Sequence, residues 1–322
     1  MNDATLNPEP DARQGSEPDL ARIVELLEPT LGQIVGEPAP LDGGITNRNY
    51  RATFGHRQYV IRIPGKDTHM LGIDRGAEAV ANSAAAEVGV APRVAATLTE
   101  PAAFVTEFVE GRGVEGRDLR SAESLSMVAA ALRSVHDLDV TFTTAFSPFR
   151  VAEAYAATTT ARGGTVPDRY GEALACAREI EAALTGPEHQ PVPCHNDLLA
   201  ANFILSGERL YIVDWEYAGM GDRYFDLANF AVNNELGEGG QESLLGAYFG
   251  APPTPAQLAS LRLMRYMSDF REAMWGVVQQ VVSDLDFDFA GYAERHFDRL
   301  SETWSDDRFK GWIREVTEDG QS

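Results

Sequence analysis

The feature that most constrains this chain is a polar motif, His-x-Asp-Leu-x-x-x-Asn, at residues 195–202, followed twelve residues later by Asp214. Between Asn202 and Asp214, two short apolar runs flank the turn-forming residues 206–209. Apolar runs on either side of a turn signal predict a β-hairpin. Such a hairpin would bring Asn202 and Asp214 back to the same end of the structure.

Three side chains of this layout suit phosphoryl transfer. That reaction needs a carboxylate at the acceptor hydroxyl and oxygen ligands for the Mg²⁺ that neutralises the phosphates. We expect Asp197 to be the carboxylate and Asn202 and Asp214 to be metal ligands, so that all three are catalytic. An isolated His-x-Asp is common by chance, but a second metal-type Asp at the end of a strand is not. His195 is expected to orient the loop rather than carry protons.

Composition limits the class of protein and its partners. The 322 residues suffice for two lobes with their own cores. No apolar run in the sequence approaches the ~18 residues of a membrane helix, and the N-terminus is polar. The chain has only two cysteines. We therefore expect a cytoplasmic protein without an integral membrane segment. The net charge of −22 opposes binding to nucleic acid and is compatible with a cationic substrate, although it could serve solubility alone.

Apolar periodicity divides the chain into a β-rich part and a helical part. Helical spacing covers residues 20–31, 74–88, 121–137, 169–184, 255–282 and 289–304, and strand-like runs cover 49–54, 58–63 and 103–108. The predicted division is a disordered tail at residues 1–17, an N-terminal nucleotide-binding lobe at 18–108, and a C-terminal catalytic and substrate-binding lobe at 109–322. The predicted fold class is therefore α+β.

Candidate nucleotide-binding residues lie in the N-terminal lobe. Gly43 and Gly44 precede the first hairpin and would let backbone amides approach phosphate oxygens, with Thr46 and Asn47 as additional donors. A Gly-Gly pair alone is usually only a turn, and the fuller Gly-x-Gly-x-x-Gly is absent.

A cation, Arg62, lies in the run 58–63. Kinases place a lysine on the corresponding strand to hold the α- and β-phosphates and to pair with a glutamate on the following helix. Glu78 is the expected partner of Arg62, and both are predicted to serve the nucleotide site. The alternative is a surface arginine on an edge strand.

These segments together resemble the choline/ethanolamine kinase family, within the protein-kinase-like and aminoglycoside-phosphotransferase group. The matching segments are residues 43–47, 61–63, 195–202, 214–219, 225–229 and 271–276. The resemblance spans roughly residues 40–305 and implies a bilobal protein-kinase-like fold, with ATP and Mg²⁺ in the cleft between a small β-rich lobe and a larger helical lobe.

The resemblance also implies roles for further residues. It places Glu107, Phe108 and Val109 at the nucleotide, with Phe108 and Val109 at the adenine-binding hinge. Glu216 would lie near a metal ion or the substrate, and Asp226 would brace the catalytic loop.

Aromatic side chains of the C-terminal lobe are candidates for the acceptor site. A quaternary ammonium is bound by aromatic faces and diffuse negative charge. The expected substrate-binding residues combine the candidate base with aromatic rings: Asp197, Tyr217, Trp275 and Tyr292. Tyr266 and Phe270, four residues apart, fit a helix core better. Relatives carry an acidic residue after the Phe-Asp-x-x-Asn segment that helps the trimethylammonium site, and Glu235 is the candidate here.

The sequence therefore predicts an ATP- and Mg²⁺-dependent kinase of a small cationic alcohol, with choline as the first candidate. Ethanolamine, an aminoglycoside or another small alcohol remain alternative acceptors. A nucleotide-binding pseudokinase acting as a partner protein is the alternative from another class, although the presence of Asp197, Asn202 and Asp214 argues against it. The sequence carries no signal for the oligomeric state.

Overall fold

The computed structural model describes residues 17–41, 47–65, 68–186 and 189–319. The predicted disordered tail lies outside the described residues, except for Glu17, which begins the first helix. Gly43, Gly44 and Thr46, predicted to contact phosphates, also lie outside them. No helix in the described ranges is both long enough and apolar enough to cross a membrane.

The N-terminal part contains an antiparallel sheet and two helices. Its elements are α1 (Glu17–Leu31), β1 (Ala39–Leu41), β2 (Asn47–Phe54), β3 (Arg57–Pro64), α2 (Arg75–Glu87), β4 (Val94–Thr99) and β5 (Ala102–Glu107). The five strands form one sheet in the order β1-β2-β3-β5-β4. Ile23 and Leu27 of α1 pack with Phe54, Ile61 and Val105 of the sheet in one buried apolar cluster. The period-two burial of these strand residues explains the strand-like runs in the sequence.

The helix α2 begins at a side-chain cap. The Asp74 carboxylate accepts hydrogen bonds from the Gly76 and Ala77 amides, at 2.8 and 3.0 Å. Such a cap satisfies amides that the first turn leaves without partners. Because the buried face carries small residues such as Ala81, α2 packs closely, and it holds Glu78 in its first turn.

The C-terminal part is mostly helical. Its helices are α3 (Ala122–His136), α4 (Pro148–Ala161), α5 (Tyr170–Leu184), α6 (Arg223–Asn233), α7 (Glu238–Phe249), α8 (Pro255–Val282), α9 (Phe289–Trp304) and α10 (Phe309–Asp319). The 28-residue α8 is the central helix, because it packs against α4, α6, α9 and α10 and buries most of its residues. The predicted α+β class, with a β-rich N-terminal region and a helical C-terminal region, is confirmed.

Short strands within the helical part position the polar motif. They are β6 (Arg112–Gly113), β7 (Val192–Cys194), β8 (Phe203–Ser206), β9 (Arg209–Ile212) and β10 (Gly219–Gly221). The predicted hairpin is present as β8 and β9, with Gly207 at φ 60° in its turn. Beyond the hairpin, the Val213 amide donates to the Asn202 carbonyl at 2.9 Å. The two ends of the hairpin segment therefore meet.

Candidate active site

The loop at residues 195–202 is held by α6. The Asp226 carboxylate, fully buried, accepts hydrogen bonds from the His195 and Asn196 amides at 2.8 and 2.7 Å. One turn later, Asn229 Oδ1 accepts from the Leu198 amide at 2.6 Å. These bonds fix the loop backbone, which includes Asn196 in the left-handed region at φ 68°. Asp226 lies where the resemblance implied a brace.

The buried His195 side chain connects this loop to the end of the hairpin. Its Nδ1 accepts from the Asp197 amide at 3.2 Å, so Nε2 carries the proton that is donated to the Val213 carbonyl at 3.0 Å. Burial lowers the pKa of His195 to about 4, which keeps the ring neutral at pH 7. These contacts orient the loop and join it to the end of the hairpin.

Asp197, Asn202 and Asp214 converge on one cavity of about 560 Å³. The Asn202 amide nitrogen donates to the Asp197 carbonyl at 2.8 Å and to its Oδ2 at 3.3 Å. Because the Asn202 side-chain nitrogen already donates these hydrogen bonds, its side-chain oxygen is the atom that could bind a cation. Asp214 follows β9 with φ 66°, a conformation that turns the chain sharply at the strand end.

Burial dominates the electrostatics of these carboxylates. It raises the pKa of Asp197 to about 7, although Arg271 opposes the rise. Burial and the neighbouring Glu216 raise the pKa of Asp214 to about 6, against the effect of Arg62. Buried carboxylates close to one another destabilise their charged forms. A divalent cation bound among these carboxylates would favour their ionised forms, and their oxygen atoms are the donors that Mg²⁺ prefers.

Arg62 and Glu78 form a buried ion pair between β3 and α2. Arg62 also contacts Asp214, and its guanidinium lies 5.0 Å from the centre of the Phe104 ring. Arg62 lines the cavity, whereas Glu78 lies behind it. Arg62 thus contacts both Glu78 of α2 and Asp214 at the end of the hairpin.

Glu216 links the two parts of the chain. Its Oε2 accepts from Asn47 Nδ2 at 3.0 Å and from Arg75 Nη1 at 2.9 Å. Arg75 also donates to Glu78 at 2.8 Å. Asn47, predicted as a phosphate-site donor, does not line the cavity in this structure and instead contacts Glu216. Sequence analysis did not identify Arg75, although its position three residues before Glu78 on one helix face was a usable signal.

The sheet end of the cavity is largely apolar. It is lined by Leu41, Val60, Phe104, Thr106, Glu107, Phe108, Val109, Ile204 and Val213. The Phe108 amide donates to the Gln58 carbonyl at 2.9 Å, which fixes the segment leaving β5. All three residues assigned to the nucleotide in this segment, Glu107, Phe108 and Val109, line the cavity. A flat aromatic group with apolar faces matches this lining.

The helical end of the cavity contains the predicted acceptor residues. Tyr217, Trp275 and Tyr292 line it together with Asp197. Trp275 packs edge-on against Tyr292 and Phe289, with ring centres 5.4 and 5.7 Å apart. The guanidinium of Arg271 covers one face of Tyr217, 4.5 Å from the ring centre. One face of Tyr217 is therefore already occupied by a cation of the protein.

Sequence analysis assigned no role to two charged residues at this end of the cavity. Arg271 and Glu272, consecutive in the middle of α8, are 1% and 3% exposed and line the cavity. Arg271 Nη1 lies 3.3 Å from Asp197 Oδ1 and also contacts Glu272. The usable sequence signal was that two residues of opposite charge stand side by side between apolar residues. Such a pair is compatible with burial, because buried charges are normally paired.

Two other expectations concern residues of the helical part. Glu235, the sequence candidate for the ammonium site, is exposed, pairs with Arg120 at 2.5 Å and does not line the cavity, so that expectation was wrong. It lies beyond the C-terminus of α6, which directs it away from the cavity. Tyr266 and Phe270 are fully buried core residues, as expected.

Comparisons with known proteins agree with the fold described above. A model of the phosphotransferase enzyme family matches residues 37–261. A crystal structure of a choline/ethanolamine kinase family protein from Mesorhizobium loti is 30% identical, with a TM-score of 0.80 over 93% of this chain and 99% of that chain.

Two sequence relatives align with most of this chain. Protein LicA from Haemophilus influenzae is 26% identical over 263 residues, 80% of this chain and 76% of the relative. Probable choline kinase 1 from Arabidopsis thaliana is 24% identical over 321 residues, 87% and 92% of the two chains. With its family model and its two-part fold, the chain belongs to the phosphotransferase enzyme family, within which it is a kinase of the choline/ethanolamine kinase group.

Proposed function

We propose that this kinase transfers the γ-phosphoryl group of ATP to the hydroxyl of a small cationic alcohol, and that the alcohol is choline. The observation that carries the proposal is a single cavity with three kinds of lining. Its sheet end is apolar, its middle holds Asp197, Asn202 and Asp214, and its helical end holds Trp275 and Tyr292. This order matches adenine, phosphates and an acceptor with an ammonium group.

At the nucleotide end, Phe108 and Val109 would contact adenine, with Glu107 beside them. Arg62 would hold the α- and β-phosphates while Glu78 fixes its guanidinium. Asn47, which contacts Glu216, would act beside the phosphates rather than directly on them. The loop residues Gly43, Gly44 and Thr46 are assigned to phosphate contacts by their sequence position alone.

Asn202, Asp214 and Glu216 would hold Mg²⁺, since all three line the cavity with oxygen donors of the kind that Mg²⁺ prefers. When bound, Mg²⁺ supplies positive charge that offsets the phosphate oxygens. Asp197 would orient the acceptor hydroxyl and accept its proton. The Asn202 amide, which donates to the Asp197 side chain at 3.3 Å, holds the carboxylate in place for that role.

Choline is favoured over ethanolamine by the aromatic character of the acceptor end. A quaternary ammonium donates no hydrogen bonds and gains most from ring faces and diffuse negative charge. Trp275 lies at the cavity wall with Tyr292 and Phe289 packed around it. Tyr217 would contribute through the ring surface that Arg271 leaves uncovered.

The test is ATP turnover with a panel of acceptors: choline, ethanolamine and an aminoglycoside. We expect the highest kcat/KM for choline and a strict requirement for Mg²⁺. A preference for another acceptor would replace choline in the proposal. Nucleotide binding without turnover of any acceptor would favour the pseudokinase alternative instead.

A further inference from the structure

The Glu272 carboxylate is a buried charged group at the helical end of the cavity. It is 3% exposed, lies in the interior of α8, and lines the cavity with Trp275, which is three residues further along the same helix face. Its Oε2 accepts a hydrogen bond from the Tyr292 hydroxyl at 2.8 Å, and its Oε1 contacts Arg271. Burying a carboxylate is costly unless it is paired, and here both oxygens are held.

Glu272 shares its arginine partner with a second carboxylate. One guanidinium, Arg271, lies between two carboxylates, Asp197 and Glu272. Burial alone would raise the pKa of Glu272, but Arg271, His296 and the Tyr292 hydroxyl outweigh it and hold the pKa below the usual value. The lowered pKa keeps Glu272 ionised near pH 7, so a cationic ligand at this end of the cavity meets a carboxylate rather than a neutral acid.

Other cavity-lining carboxylates of the described residues are used elsewhere. Glu107 lies at the sheet end of the cavity. Asp214 contacts Arg62, and Glu216 accepts from Asn47 and Arg75. Asp197 and Glu272 are the two described carboxylates at the end with the aromatic rings, and Asp197 is already assigned to the acceptor hydroxyl.

We propose that Glu272 recognises the cationic head of the acceptor, while the acceptor hydroxyl lies at Asp197. This inference rests on the proposed function. Asp197 and Glu272 both contact Arg271 Nη1, so their nearest oxygens are separated by no more than about two hydrogen-bond lengths, roughly 6 Å. A short two-carbon alcohol can therefore reach both carboxylates at once. The Trp275 and Tyr292 rings enclose the head from its other sides.

The test compares choline with its neutral carbon isostere, dimethylbutanol, in which a carbon atom replaces the quaternary nitrogen. Both acceptors have the same shape, so the ratio of their kcat/KM values reports charge recognition alone. In Glu272→Gln, we expect kcat/KM for choline to fall about 10- to 100-fold, because a charge–charge attraction in a largely buried site is lost, and that for the isostere to change less than about 3-fold. The KM for ATP should not change.

Two further variants keep the test independent of folding. Glu235→Gln, an exposed carboxylate outside the cavity, is the matched control and should leave both kcat/KM values unchanged. Tyr292→Phe removes the hydroxyl that holds Glu272 but keeps the ring, and should produce a smaller loss with the same selectivity for choline.

The outcomes separate this inference from the proposed function. Equal losses for choline and the isostere in Glu272→Gln would overturn the inference while the proposed function stands, because Glu272 would then only support the packing of α8. Failure of the wild-type protein to phosphorylate choline would overturn the proposed function, and with it the role of Glu272.

Discussion

Asp197 is held from three directions by its neighbours. Its amide donates to His195 Nδ1, Asn202 donates to its side chain, and Arg271 Nη1 lies 3.3 Å from Oδ1. These contacts restrict the carboxylate to one orientation at the cavity wall. Preorganisation of this kind is what a catalytic group needs, because a misplaced base loses most of its effect.

We expect Asp197→Asn to lower kcat by about 10²–10⁴-fold, the usual range for loss of a general base, because an amide cannot accept the proton. The affinity for ATP should barely change, since the nucleotide would lie toward the sheet end. Steady-state kinetics and nucleotide titration measure the two effects. Asp139→Asn, at an exposed position, is the control. Near-normal turnover of Asp197→Asn would remove this residue from the mechanism.

Individual residues differed in how readily the sequence revealed them. Asp197, Asn202 and Asp214 could be found because a short loop and a tight hairpin bring them together locally. Arg271 and Glu272 were given no role, because charged residues in a helical pattern normally face solvent and their adjacent opposite charges were a weaker signal. Their burial depends on how the loop at residues 195–202 and α9 pack against α8, which is tertiary information.

At the scale of elements, strongly periodic segments were predicted well. The segment 255–282 coincides with α8, and the segment 289–304 with α9. The helices α4, α6, α7 and α10 were not predicted. Consecutive threonines end α4 and two glycines lie in the first turn of α7, and both residue types weaken the local helical preference. Packing in the helical part stabilises these segments as helices.

The position of α8 leads to a prediction for Trp275. If the acceptor ammonium rests against the indole, Trp275→Ala should raise the KM for choline roughly 2- to 30-fold, since a cation–π contact contributes about 0.5–2 kcal/mol. Trp275→Phe should have a milder effect, and the KM for ATP should not change. Ethanolamine should be affected less, because a primary ammonium can also form hydrogen bonds. Kinetics with both acceptors measure these differences.

Stability must be followed in the same variants. Trp275 is 7% exposed and packs against Phe289 and Tyr292, so its truncation to alanine also removes core contacts. Trp275→Phe keeps much of that packing and is therefore the more informative variant. If activity falls only in step with thermal stability, or equally for all acceptors, Trp275 is a core residue.

At the scale of the whole molecule, the sheet and the helical part are joined through charges around the cavity. Arg62, Asn47 and Arg75 come from the sheet side, and their partners Asp214 and Glu216 follow the hairpin. The α+β class and the order of its two parts could be predicted from periodicity. These joining contacts could not, since each links residues more than a hundred positions apart.

The contact between Arg75 and Glu216 provides a test of this junction. Arg75 is partly exposed, but Glu216 is buried, so Arg75→Met leaves a buried carboxylate with less compensation. We expect the free energy of unfolding to fall by about 1–3 kcal/mol, less than for a fully buried pair because water screens part of the interaction. Urea denaturation measures the change. Arg22→Met, which removes an exposed pair with Glu25, should leave the midpoint unchanged.

A double-mutant cycle then shows whether the loss comes from this contact. In Arg75→Met/Glu216→Gln the buried charge is absent, so the combined loss should be smaller than the sum of the two single losses. Additive losses would mean that Arg75 acts through Glu78, which it contacts at 2.8 Å. In that case α2, rather than the junction of the two parts, would be what Arg75 stabilises.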